Sequence, residues 1–78
     1  MTSEEQTRFE ERVRQVDAHI RQYGLQTEYP FEQSDTEQLV EDVRDYFVRV
    51  RQRTIVQPYR DNPSSRFRGS GRWVIFIQ

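Results

Sequence analysis

Guanidinium groups alternate with aromatic rings in one stretch of this sequence: Tyr59-Arg60, Arg66-Phe67-Arg68 and Arg72-Trp73. Arginine grips phosphates and carboxylates through paired N–H donors, and an exposed ring can stack on a nucleobase. These residues form the candidate binding site. The competing reading places Phe67 and Trp73 in hairpin packing, with the arginines solvating a loop or pairing with acids elsewhere in the chain.

Catalytic machinery is not predicted. His19 is the single histidine and there is no cysteine, so the usual nucleophile–base pairs and thiolate or imidazole metal sites lack their parts. His19 neighbours a stripe residue, Ile20, and is expected to face solvent. Ser34, Ser64, Ser65 and Ser70 read as cap and loop residues. Carboxylates cluster at Glu4, Glu5, Glu10 and Glu11, and again at Asp35, Glu37, Glu41, Asp42 and Asp45. Interleaved with arginine (Glu10/Arg14, Glu41/Arg44), such acids read as solvated helix faces, because a catalytic dyad needs burial in a cleft. Gly69-Ser-Gly71 lacks the strand–loop–helix setting and the lysine of a phosphate loop, and reads as a flexible turn. No catalytic residue, metal, cofactor or small-molecule substrate is expected.

The chain's 78 residues allow one small domain, and domains of this size are marginal unless something else supports them. Hydrophobic residues make up 33% and charged residues 32%, yet the net charge is only −1, which favours folding over disorder. The domain is expected to draw part of its stability from a partner or an oligomer. The absence of cysteine favours a cytoplasmic home, no stretch is apolar enough to cross a bilayer, and the acidic N-terminus does not read as a signal peptide. All twelve basic residues are arginine. A GC-rich coding bias is the favoured explanation, with a demand for bidentate donors as the functional alternative.

Charge is divided along the chain. Residues 1–43 hold four arginines against eleven acids, a net of −7, and residues 44–78 hold eight arginines against Asp45 and Asp61, a net of +6. Such asymmetry points to a charged partner for one half, or to two halves that face each other within one fold.

The elements that must position these residues follow from periodicity. Phe9, Val13, Val16, Ile20 and Tyr23 mark a helix over residues 4–23, with Thr2 or Ser3 as N-cap and Gly24 beyond its end. Residues 25–33 read as a connection, because Pro30 forbids helix through Tyr29. A second helix is expected over residues 35–52, capped by Ser34, with a wider stripe of Leu39, Val40, Val43, Tyr46, Phe47 and Val50. Residues 54–57 read as a short strand that Pro58 ends or confines to a sheet edge. Residues 58–71 form an Arg-rich loop, and residues 72–78 a strand apolar on both faces, one bearing Trp73, Ile75 and Ile77 and the other Val74 and Phe76. The second face calls for a cover, such as a twin chain, a binding partner or an added strand.

The expected fold is therefore α+β, two helices followed by an antiparallel hairpin (ααββ). The expected function is a non-catalytic protein-binding module, a small accessory, assembly or inhibitor protein of the kind phages and mobile elements carry. It would dock on another protein, or a copy of itself, through the Arg/aromatic loop and C-terminal strand or through the acidic first helix. The alternative is a small nucleic-acid-binding regulator using residues 58–73. The overall pI of about 5.8 weighs against it, since dedicated binders are basic and a nearly neutral chain has no net field toward phosphate.

Overall fold

Thr2 closes the N-terminus of α1 (Ser3–Tyr23), its hydroxyl accepting the Glu5 amide at 3.2 Å, in a computed structural model that describes residues 2–78. Glu4 and Glu5 follow in the first turn, where the helix dipole favours anions. Val16 is fully buried, and Phe9, Val13 and Ile20 pack beside it, whereas Tyr23 at the end of the stripe is 61% exposed. Gly24, at φ 80° and ψ −164°, holds a conformation essentially confined to glycine and donates its N–H to the Ile20 carbonyl. Leu25, next in the chain, is exposed.

The segment read as a connection contains a strand, β1 (Thr27–Pro30), paired antiparallel with the last strand of the chain. Four residues ending in proline show little periodicity by themselves. The strand is held by its partner's hydrogen bonds and by Tyr29, buried in the core.

The second helix, α2, runs Glu37–Arg49, shorter at both ends than residues 35–52. Its cap is Thr36, whose hydroxyl accepts the Leu39 N–H at 3.2 Å, and not Ser34. Asp35 is drawn into the interior by Arg12, so the cap falls one residue beyond it and the helix starts at Glu37. At the other end the β-branched Val48 and Val50 weaken helix propensity, and Gln52 reverses the chain at φ 56°. Arg53 N–H then returns to the Phe47 carbonyl. A non-glycine residue thus makes the break for which the sequence offers no Gly or Pro.

The hairpin pairs β2 (Ile55–Arg60) with β3 (Trp73–Ile77). Strand β2 extends three residues past the expected 57 by carrying Pro58 in a bulge: Gln57 and Pro58 lie opposite Ile75 alone, between the Val56↔Phe76 and Tyr59↔Val74 pairs. Proline is tolerated there because β2 is an edge strand, the sheet order being β1-β3-β2. The fold is α+β, two helices and a three-stranded antiparallel sheet, in the order αβαββ. No helix among the described residues is long and apolar enough to cross a membrane.

Strand β3 is central, and its two faces do different work. Ile75 and Ile77, with Tyr29 and Phe31, meet Val16, Val40, Val43 and Phe47 in the core beneath the helices. Val74 and Phe76 face the other way, opposite Pro30 and Glu28 of β1 and Tyr59 and Val56 of β2. Val74 is only 1% exposed. The β2–β3 loop folds back over Val74, while farther along the same face Phe76 is half-buried and its cross-strand neighbour Val56 is 41% exposed.

Candidate functional site

The β2–β3 loop, residues 61–72, is tied down along its length. Asp61, at φ 57°, accepts the Gly69 N–H on Oδ1 at 3.2 Å, and Asn62 accepts the Ser64 N–H at 2.8 Å. Ser65, buried, accepts the Phe67 N–H, and the Ser70 hydroxyl donates to the Phe67 carbonyl at 2.6 Å. Gln33 donates from its side-chain amide to the Ser70 carbonyl at 2.8 Å, anchoring the loop's far end to the segment before α2.

The firmest anchor is Glu28. From β1 its carboxylate reaches across β3 to accept the Tyr59 hydroxyl of β2 and, on its other oxygen, the Arg66 backbone N–H at 3.0 Å. Burial works to raise the Glu28 pKa, but the Tyr59 and Ser65 hydroxyls, the Arg66 N–H and the Arg66 charge outweigh it, and the carboxyl sits below its usual range. Tyr59 moves the opposite way: burial, then its bond to Glu28, holds the phenol in its neutral, donating form. One side chain in an unpredicted strand thus links both edges of the sheet to the loop.

The seven candidate residues do not form a single platform. Tyr59 lies on the loop side of the sheet with its hydroxyl engaged by Glu28. Arg60 and Trp73 are cross-strand partners on the helix side, where the Arg60 guanidinium lies 5.1 Å from the ring centroid and the Trp73 ring packs against the core. Phe67 and Arg72 are half-buried. Arg66 and Arg68 are exposed at the loop's bend, Arg68 donating to the Pro63 carbonyl. The rings alternate with arginine in sequence, but Tyr59 and Trp73 are held within the fold and Phe67 is half-buried.

Pairing between the charged halves is sparse. Among the described residues, one ion pair joins them, Arg51 to Asp17 at 3.1 Å. Among the described residues Arg60, Arg66, Arg68 and Arg72 make no ion pair, although the Glu28 carboxylate on the Arg66 N–H lies within reach of the Arg66 charge.

Three features escaped the sequence reading. Glu28 lay in the supposed connection, where Tyr29 and Phe31, two residues apart and both buried, were the available strand signal. Arg12 is buried, although its spacing of three from Phe9 and four from Val16 places it on the apolar stripe. His19, expected in solvent, is half-buried: its Nε2 lies 3.1 Å from the Thr27 hydroxyl, and its ring meets those of Tyr23 and Tyr29. That flank of α1 is covered by the unpredicted β1. The chain matches no protein-family model, no curated protein and no solved structure.

Proposed function

We propose that this chain is a non-catalytic protein-binding module, a small accessory, assembly or inhibitor protein, and that its working face is the β2–β3 loop. The observation that carries this reading is the state of Arg66 and Arg68. Both are exposed and neither guanidinium makes an ion pair among the described residues, on a backbone fixed to the sheet through Glu28. A preorganised loop loses little entropy on binding, so unpaired guanidinium groups held there favour a carboxylate-bearing surface. Both edges of strand β3 are paired, and Val74, Ile75 and Ile77 are buried, which favours the loop over the strand as the docking element.

The engagement of Trp73 and Tyr59 within the fold favours a protein surface over a nucleic-acid strand, whose sequence-tolerant binding draws on free rings. The test pairs two measurements on the same protein. Capture from the native host, after nuclease treatment, should retain proteins with the wild type and lose them with the Arg66→Glu/Arg68→Glu variant. Titration with single- and double-stranded DNA and RNA at low salt should show no tight binding. Micromolar or tighter affinity that falls steeply with salt would reverse the assignment in favour of a nucleic-acid regulator.

A further inference from the structure

Two faces of this molecule carry opposite charge with few ion pairs between them, although the helix dipoles already favour the first-turn acids and Glu28 lies beside Arg66. On the loop side of the sheet stand Arg66 and Arg68. On the helix side Glu4, Glu5, Glu37 and Glu41 project from the N-terminal halves of α1 and α2, and none has an ion-pair partner among the described residues. The four ion pairs of the described residues are Arg12–Glu11, Arg12–Asp35, Arg44–Asp45 and Arg51–Asp17, and only the last joins the two halves of the chain. The faces cannot satisfy each other within one chain, because the three-stranded sheet lies between them.

The acidic face also has a shape that fits arginine. A groove of about 410 Å³ runs between the N-terminal parts of the two helices, lined by Glu5, Arg8, Thr36, Gln38, Leu39 and Asp42. An arginine presents an apolar stem and a charged fork. Leu39 offers apolar surface to the stem, and Glu5 and Asp42 offer carboxylates to the fork. Arg8 is the one cation on the wall, and Glu4 and Glu37 in the first turns of the helices add to the acids that outnumber it.

Resting on the reading of the loop as a face for acidic protein surfaces, we infer that one such surface is a second copy of this chain: the Arg66/Arg68 loop of one copy docks on the α1–α2 groove of the next. The two surfaces differ, so the contact is heterologous. Each copy in a pair retains one free loop or one free groove, and association continues into a ring or an open chain. The attraction is between exposed charges, so it is governed by salt.

Sedimentation velocity of the purified chain tests this directly. At about 0.01 M ionic strength, where the Debye length is about 30 Å, species larger than a dimer should grow with concentration, and at about 1 M, where it is about 3 Å, the chain should be monomeric. Neutralising either face, by Arg66→Ser/Arg68→Ser or by Glu5→Gln/Asp42→Asn, should give a monomer at low salt with an unchanged circular dichroism spectrum. An equimolar mixture of the two variants should form a dimer and stop there, since one working loop and one working groove remain. A wild type that stays monomeric at low salt would overturn the self-assembly, as would oligomers that survive 1 M salt or both neutralised variants. The wild-type salt series needs no variant to fold. Its failure is also distinct from failure of the loop reading, which host capture by the same protein decides.

Discussion

Arg12 and Asp35 meet in the interior as a two-pronged ion pair, Nε to Oδ2 at 2.7 Å and the second guanidinium nitrogen to Oδ1 at 3.1 Å. Asp35 also accepts the Glu32 N–H, and Arg12 donates to Gln15, which in turn accepts the Tyr29 hydroxyl. The cluster joins α1, β1 and the entrance to α2. Removing one partner strands a buried charge, which costs about 3–5 kcal/mol, a large share of the roughly 4–12 kcal/mol expected for a domain of this length. Arg12→Met and Asp35→Asn should each lower the urea midpoint by at least about a quarter, and the double variant should lose less than the sum of the two. Additive losses would show that the pair is not coupled.

The start of α2 separates two candidate caps. Thr36→Ala should cost about 1 kcal/mol, because the Leu39 N–H loses its acceptor, while Ser34→Ala should change stability by less than about 0.5 kcal/mol. Thermal unfolding of the two variants side by side checks the assignment, and the reverse ranking would return the cap to Ser34.

Glu28 holds the loop, and two readouts follow it. In Glu28→Gln the carboxylate that accepts Tyr59 and Arg66 is lost, so tryptic cleavage after Arg66 and Arg68 should accelerate while global stability falls by only about 1 kcal/mol. The pH dependence has a definite sign. Glu28 is depressed in the folded state, so its contribution is present above the ordinary carboxylate range and is lost as pH falls through its folded value. Loop protection factors, with exchange corrected for its intrinsic pH dependence, should fall over that acid range in the wild type and stay flat in Glu28→Gln.

The alkaline limb belongs to the tyrosines. Burial raises the Tyr29 pKa to about 12, and Tyr59 is also raised. A raised phenol stabilises the fold fully below its ordinary value of about 10, and that contribution is lost as pH climbs through the folded value. Unfolding free energy should therefore be level from neutrality to about pH 10 and decline above it. Tyr29→Phe should lose part of that decline, as followed by circular dichroism across the range.

Much of the architecture was legible where local chemistry and burial agree. The capping residues and apolar stripe of α1, the alternation of β3 and the edge position of Pro58 follow from side-chain type and spacing. What was hidden depends on tertiary context. Strand β1 shows itself only through β3, and with it went the covered flank of His19 and the anchoring role of Glu28. Arg12 stands on the stripe at helical spacing, but a charge there is buried only because Asp35, twenty-three residues on, neutralises it. Among the candidate site residues, the exposure of Arg66 and Arg68 fits the loop reading. The sequence alternation of rings and arginines could not reveal that Trp73 and Tyr59 lie on opposite faces of the sheet, since the bulge at Gln57-Pro58 sets which way each side chain of β2 turns.

The central claim is that the loop arginines are the binding face. Its most direct test is a photo-crosslinker placed at Phe67, between Arg66 and Arg68, and at Ala18 on α1 as the control, with crosslinked products from nuclease-treated host cells identified by mass spectrometry. Position 67 should yield protein partners joined through acidic segments, lost when Arg66 and Arg68 become Glu, while position 18 yields none of them. Partners captured equally from position 18, or retained after the charge reversal, would contradict the assignment of the loop.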